Sequence, residues 1–419
     1  MNLNEANTDQ LTARQAELQS KFEKLQAAGL TLDLTRGKPG SDQLDLSNEM
    51  DGILNGFFLL QDGTDVRNYG GILGIPEARQ LGGDMLGIPP KQVLVGGNSS
   101  LTMMYNYIAS MMPVWEQNDS VKFLCPVPGY DRHFTLCEHF NIEMINVGFD
   151  ADGPDMSTIE TLVKEDPQIK GIWCVPKYSN PTGHTYSKST VEKFAQLATN
   201  ASPDFRIMWD NAYTVHDLTD TPTQLEDLMS LARAANTEDS VVMFASTSKV
   251  TFAGAGISFV GTSERNLSSF ESFLSDQVIG FDKVNQLRHV RFLEDAEGVK
   301  KHMAKHRAII EPKFNLVAAK LAELEGKGVA QWTTPSGGYF ISLDTLPGVA
   351  SQVVSLAAEA GVKLTPAGAT FPYGKDPEDR NIRIAPTFPS TEDLSQALDV
   401  FVVCLELASV NHLLETQTG

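Results

Sequence analysis

The sequence predicts an α/β fold: a large domain with a mainly parallel sheet sandwiched by helices, followed by a smaller α+β domain. Three observations carry this expectation. Between about residues 90 and 260, short apolar runs recur at 93–95, 121–125, 171–175, 207–209, 241–245 and 257–260. Most are continuous rather than alternating, as strands buried on both faces are, and helix-length segments separate them as βαβ units require. After about residue 265 the texture changes to long helical patterns interrupted by a few strand-like pieces.

In chain order, residues 5–27 read as an amphipathic helix, with Leu11, Leu18, Phe22 and Leu25 at helical spacing and Gly29 as its stop. Leu30, Leu32 and Leu34 read as a short strand, and Thr35-Arg36-Gly37-Lys38-Pro39-Gly40 follows. The six apolar runs come next. Residues 266–325 read as mostly helical, with a long charged helix around 295–324. Strand-like pieces at 338–343 and 381–385 and helices at 351–360 and 391–410 complete the second domain. No repeat, low-complexity tract or obvious linker separates the two parts, so a continuous helix is expected to fuse them.

A length of 419 residues fits two or three domains at roughly 100–200 residues each. Hydrophobic residues make up 42% and charged residues 21%, which excludes a disordered or fibrous chain. Lys and Arg total 33 against 53 Asp and Glu, a formal charge of −20. Such a surface repels phosphate backbones, so neither nucleic acid nor an anionic membrane is an expected partner. The N-terminal sequence lacks the basic head and apolar run of a signal peptide. No apolar stretch is read as approaching the ~20 residues of a membrane-spanning helix. Cys125, Cys137, Cys174 and Cys404 show no Cys-x-x-Cys spacing, so buried free thiols in a reducing cytoplasm are expected, and no metal site.

The unusual residues stand at the ends of the apolar runs, where open α/β sheets bind ligands. Run 93–95 leads into Gly96-Gly97-Asn98-Ser99-Ser100 and a helical pattern. Free N–H groups and the helix dipole there suit an anion, although Asn98 or Ser99 also reads as a plain N-cap. Run 171–175 leads into Asn180-Pro181-Thr182-Gly183, first of all a turn, which can also turn the Asn180 amide into a cleft. Run 207–209 ends in Asp210, an acid that needs a cationic partner when buried, with Tyr213 three residues on. Run 241–245 ends in Ser246-Thr247-Ser248-Lys249 beside a Gly-rich stretch. Poor solvation lowers a lysine pKa and frees its amine for Schiff-base chemistry. An anion cradle, an acid, a phenol, an amide and such a lysine together are the parts that pyridoxal phosphate requires.

These motifs, in the order Gly-Lys-Pro, Tyr-Gly, Gly-Gly-Asn, Asn-Pro-Thr-Gly, Asp-x-x-Tyr, Ser-Lys and Arg, resemble the fold-type I pyridoxal-phosphate aminotransferases of class I/II. The resemblance runs from about Leu30 to the C-terminus. It is strongest to the actinobacterial aspartate aminotransferase and MocR-like group, whose Ser-Thr-Ser-Lys-Val-Thr-Phe-Ala-Gly-Ala-Gly motif stands at 246–256. It implies a seven-stranded sheet in a large cofactor-binding domain at 61–295, and a small domain formed by both chain ends, 1–60 and 296–419. It further implies that Lys249 forms the Schiff base and moves the substrate proton, that Asp210 keeps the ring nitrogen protonated, and that Asn180 and Tyr213 hydrogen-bond the ring oxygen. Tyr130 is implied to stack on the ring and His133 to orient Asp210 from behind. Asn98, Ser99, Ser100 and Ser246, with Ser248 beside them, are implied to hold the phosphate, joined by Tyr69 of a second subunit in an obligate homodimer with shared sites. Arg383 would clamp the substrate α-carboxylate, with Gly37 and Asn180 beside it.

The resemblance also implies the activity: transfer of an amino group from an L-amino acid to a 2-oxo acid in two half-reactions, with aspartate and 2-oxoglutarate expected from the closest group. A dicarboxylic substrate needs a second cation, for which Arg36, Lys38, Arg132 and Arg288 are candidates. The chain departs from the family in one respect. Where the pattern has an arginine after the lysine loop, this sequence has Ser258, so weaker or differently balanced phosphate binding is expected. Two other readings are another pyridoxal-phosphate chemistry, such as β-elimination or decarboxylation, and the effector-binding domain of a MocR-type regulator. Only about 30 residues before the first motif and the charge of −20 weigh against the regulator.

Overall fold

All six apolar runs become strands of one sheet. In this computed structural model, which describes residues 2–118 and 120–418, the strands are β1 (Val93–Gly96), β2 (Lys122–Pro126), β3 (Glu143–Val147), β4 (Ile169–Cys174), β5 (Arg206–Asp210), β6 (Val241–Ser246) and β7 (Ser258–Thr262). Met1 and Gly419, the outer ends of the expected small-domain spans, lie outside the described residues, as does Asp119. The order across the sheet is β1-β7-β6-β5-β4-β2-β3. Every pairing is parallel except those of β7, which runs antiparallel to both β1 and β6 and sets Ser258 opposite Gly96 and Ser246. Successive residues of each strand serve opposite faces: Val93, Val95, Ile207 and Trp209 enter one core, and Leu94, Met208 and Phe244 the other. Both faces are covered, which is why the runs are continuous. The seventh strand, β3, has no such run. It lies at the sheet edge, and Met144 and Val147 are buried while Glu143 and Asn146 are exposed.

The helices that position the site are α1 (Thr8–Ala27), α2 (Ser100–Trp115), α3 (Asp131–His139), α4 (Lys283–Leu293), α5 (Ala296–Leu321) and α6 (Thr391–Thr418). Helix α1 starts three residues later than its apolar spacing suggests, because Asn7 and Gln10 form a capping box there. Between α4 and α5 the chain breaks at Glu294, with φ +61°, and Asp295 caps the new helix through Gly298 N. Along α5, Val299 and Met303 enter a core shared with the large sheet, while Ile310, Phe314, Val317 and Leu321 enter another.

That other core is built by both ends of the chain. An antiparallel sheet of β8 (Ala330–Trp332), β9 (Ile341–Thr345) and β10 (Asn381–Ile384) packs with α1, α5 and α6, and Leu32–Asp33 pairs in parallel with Val362–Lys363. Leu11, Leu18 and Phe22 of α1 share this core with Leu394, Leu398, Phe401 and Leu405 of α6. Each such side chain contributes about 1.5–3 kcal/mol of burial. Buried Glu406 of α6 also accepts from Arg14 Nε at 2.7 Å and Lys327 Nζ at 2.7 Å. Contrary to the sequence reading, the segment Thr391–Gln417 is long and apolar enough to span a membrane; 67% of its apolar window is buried inside the protein, which makes it a core helix.

Candidate active site

Strands β1, β4, β5 and β6 all end on the same side of the sheet, and the residues that follow them converge on a cavity of about 190 Å³. Ser99 and Ser100 at the start of α2, Tyr130, Asn180, Asp210, Tyr213, Ser246, Ser248 and Lys249 all line it. A larger cleft of about 980 Å³ lies at the opposite strand ends, but its buried cations Lys170 and Arg206 are bonded to Asp204 and to the Tyr107 hydroxyl.

Asp210 is the last residue of β5 and is almost fully buried. Its Oδ2 lies 3.0 Å from His133 Nε2, and the His133 ring stacks on Trp173 with centroids 4.1 Å apart and planes 6° from parallel. Asp210 Oδ1 is buried without a protein partner. An unpaired buried carboxylate oxygen is costly, so this edge of the cavity favours a cationic N–H from a ligand. Lys249 makes no hydrogen bond through its amine and stands 5.0 Å from the centre of the Tyr213 ring. Burial pushes the lysine below its usual pKa, opposed in smaller measure by the Asp210 charge, which favours a free, nucleophilic amine. Burial pushes the Tyr130 and Tyr213 phenols up, so both stay protonated donors.

At the neighbouring edge, Arg383 of β10 is 7% exposed. One of its Nη atoms meets Asp131 Oδ1 at 3.0 Å and Asn180 Oδ1 at 3.3 Å, the ring of Phe340 lies 4.9 Å beneath the guanidinium, and Nε is buried with no partner. An unsatisfied guanidinium edge suits a carboxylate. Gly37 is set against the same Phe340 ring, where a Cβ would lie 2.2 Å from Cζ. The turn that carries Asn180 is held from behind: Asp217 accepts from Lys177 Nζ at 2.7 Å and from the Tyr178 hydroxyl at 2.6 Å. Gly337 lies on the Tyr178 ring, 2.1 Å from where its own Cβ would be, so no larger residue fits there.

Not every expected residue faces the cavity. Asn98 is turned to the lysine loop, donating to Gly254 O at 3.3 Å, while its own carbonyl accepts from Ser248 Oγ at 3.0 Å. Ser99 makes no capping bond, so its hydroxyl is free for a ligand at the α2 N-terminus. Tyr69 is 85% exposed and does not line this cavity. Ser258 is fully buried in β7 beneath Gly96, with its Oγ unpartnered, so it does not stand at the cavity surface. No arginine lines the cavity among the described residues. Of the four candidate second cations, Lys38 lies 3.8 Å over the Phe388 ring, and Arg36, Arg132 and Arg288 form no ion pair among the described residues.

Comparison with known proteins decides the family. The model described as aspartate amino-transferase matches residues 6–417. A Corynebacterium glutamicum protein named aspartate aminotransferase is 48% identical over 407 residues, covering 94% of each chain. This chain belongs to the aspartate aminotransferase family. A solved aspartate transaminase of C. glutamicum superposes with a TM-score of 0.95 at 45% identity over 99% of both chains. An aspartate aminotransferase of Thermus thermophilus, solved with maleate, has a TM-score of 0.69 at 17% identity over 93% of this chain and 96% of that one, a likeness of fold alone.

In this aminotransferase Lys249 and Asp210 line one cavity, and Arg383, itself outside the lining, reaches it through Asn180 at 3.3 Å. Two groups of residues at this site were missed by the sequence reading. Asp131 directly follows Tyr130 yet pairs with Arg383, 252 positions away. Gln43, His216, His302, His306 and Tyr339 gather behind Lys249. His302 and His306 do carry a signal, since a four-residue spacing puts them on one helix face.

Proposed function

We propose that this aminotransferase moves the amino group of L-aspartate to 2-oxoglutarate, using pyridoxal 5′-phosphate in a ping-pong reaction. The observation that carries the reading is the pairing of an unbonded, half-buried and desolvated Lys249 amine with the buried, unpartnered Asp210 Oδ1 across one cavity. The 48% identical aspartate aminotransferase supports the substrate assignment. Once bound, the cofactor supplies a carbonyl for the amine and a protonated ring that accepts the electron pair left at the substrate Cα.

The chain's own residues do the rest in this reading. Asp210, held by His133, keeps the ring nitrogen charged. Tyr213 and Asn180 hydrogen-bond the ring oxygen, and Tyr130 covers the ring. Ser99, Ser100, Ser246 and Ser248, with the α2 dipole, receive the phosphate; with Asn98 turned to the loop and no arginine lining the cavity among the described residues, this anion site rests on hydroxyls and backbone N–H groups. Arg383 receives the α-carboxylate, with Gly37 and Asn180 alongside. Lys249 takes the Cα proton and returns it one carbon over, a task that suits its lowered pKa.

We further propose the division into 1–60 and 296–419 around a cofactor-binding unit at 61–295, and a homodimer in which Tyr69 enters the partner's site. Exposed Phe57, Leu59, Tyr69 and Ile279 support the dimer. Their segments adjoin, through Val66 N on Phe58 O and Gly280 against Gly70. Such an apolar patch marks an interface. The four buried free thiols accord with a cytoplasmic enzyme.

The test is an absorption spectrum of the purified protein. A visible cofactor band that shifts on adding aspartate, returns on adding 2-oxoglutarate and is lost in Lys249→Ala supports the whole reading. A band that responds only to another amino acid discards aspartate. No band after adding pyridoxal phosphate overturns the cofactor.

A further inference from the structure

Two backbone carbonyls follow the Lys249 side chain along the loop, those of Lys249 and Val250. Side chains distant in sequence hold both. The Lys249 carbonyl has His216 Nε2 at 3.3 Å and the Tyr339 hydroxyl at 3.5 Å. The Val250 carbonyl has His302 Nε2 at 2.7 Å, and His306 Nε2 lies 3.2 Å from that same nitrogen. A carbonyl only accepts, so His216 and His302 carry their protons on Nε2. Gln43 sets the tautomer of His306. Its Oε1 is taken by Gly40 N–H at 3.1 Å, so its Nε2 donates to His306 Nδ1 at 3.2 Å and to the Tyr339 oxygen at 2.9 Å. His306 is therefore also protonated on Nε2, and that nitrogen backs His302 at the Val250 carbonyl. All five side chains are buried. Burial keeps the imidazoles neutral, with His216 held down at about 3 and His306 at about 4.

The donors come from the segments that frame the carboxylate side of the cleft. Gln43 follows Gly37 by six residues, and Tyr339 precedes Phe340, the floor of Arg383. His302 and His306 stand one helical turn apart on α5.

We propose that Gln43, His216, His302, His306 and Tyr339 form a clamp that positions Lys249. By holding the two peptide planes that follow it, the clamp sets the direction of the lysine side chain and couples that direction to the segments around Arg383. The proposal rests on the reading that Lys249 is the Schiff-base lysine. These are positioning residues, since none lines the cavity.

The test uses Tyr339→Phe, His306→Leu and His306→Gln. Apoprotein of each is mixed with pyridoxal phosphate, quenched with borohydride at intervals, and the adduct on Lys249 is read by intact mass. The loaded enzymes are then assayed with aspartate and with Cα-deuterated aspartate. Tyr339→Phe and His306→Leu are expected to slow trapping and kcat about tenfold. The deuterium isotope effect should rise and KM for aspartate stay within twofold. His306→Gln, whose amide can still donate, should return to within threefold of the parent. Unchanged trapping, kcat and isotope effect in both variants, with only a lowered Tm, would overturn the clamp and leave a purely structural network. So would a failure of His306→Gln to differ from His306→Leu. If His306→Leu does not fold, Tyr339→Phe, which removes one oxygen atom, decides alone. Absence of a Lys249 adduct in the parent protein would overturn the proposed function, and the clamp with it, before any variant is made.

Discussion

Gly37→Ala tests the carboxylate side of the cleft with a single methyl group. Gly37 does not occupy the positive-φ region, so its backbone accepts alanine. The space does not. The new Cβ would lie 2.2 Å from Phe340 Cζ and 2.5 Å from Cε1, and reaching an ordinary 3.4 Å contact moves the ring edge by about 1.2 Å. Phe340 is buried between the Arg383 guanidinium and the Tyr213 ring, 6.2 Å away, so the displacement passes to one of them. A misplacement of about 1 Å at a reacting centre costs on the order of 100-fold, or about 2.7 kcal/mol of transition-state stabilisation. The expected result is kcat/KM for aspartate about 100-fold lower. Cofactor affinity should stay within about twofold, because no residue proposed to hold the phosphate moves. Steady-state kinetics and a cofactor titration measure both, and a thermal melt establishes that the variant is folded. A folded Gly37→Ala enzyme with kcat/KM within threefold of the parent would refute the placement of Gly37, Phe340 and Arg383 as one carboxylate site.

Three further outcomes are expected. Asp210→Asn keeps a partner for His133 but removes the charge facing the cavity; single-turnover rates with aspartate should fall about 10²–10³-fold while the protein stays folded. Stability should fall on acidification, because burial holds His216 at about 3 and His289 and His306 at about 4, against the ordinary 6.5. The unfolded chain takes up these protons first, so the stabilisation is complete above about pH 7 and is lost as the pH falls toward 4. Each histidine contributes a slope of up to about 1.4 kcal/mol per pH unit, and equal urea midpoints at pH 7 and pH 5 would contradict this. Glu406→Ala strands Lys327 beside α6 and leaves Arg14 with Glu17 alone, and should cost about 2–4 kcal/mol in a denaturant titration, at the lower end because both cations keep partial access to water; a loss under 0.5 kcal/mol would show that the triad is not stabilising.

Much of the fold was legible because it follows from local pattern. A strand covered on both faces must be apolar throughout, and six such runs announced six of the seven central strands. The edge strand β3 escaped because half of it faces water, and β8 because Ala330–Trp332 is only partly buried. Helix α6 runs longer than the expected 391–410, and its buried acid, Glu406, is neutralised inside the core by Arg14 and Lys327. Ser258 was expected at the phosphate because the loop motif aligns it there, but the antiparallel pairing of β7 with β1 and β6 carries it under Gly96.

By itself the sequence determined the class of the sheet, the chemistry of its strand ends and the candidacy of Lys249 and Asp210, because those depend on residue type and short spacing; Arg383 came from the family resemblance. Only the tertiary structure decided which groups complete one another. Asp131 meets Arg383, Gly37 meets Phe340, and three side-chain donors meet the carbonyls of Lys249 and Val250. His302 and His306 share one face of the long charged helix by their spacing, but only the fold buries that face. Burial and partnership across hundreds of residues are properties of packing, and no local pattern in the chain encodes them.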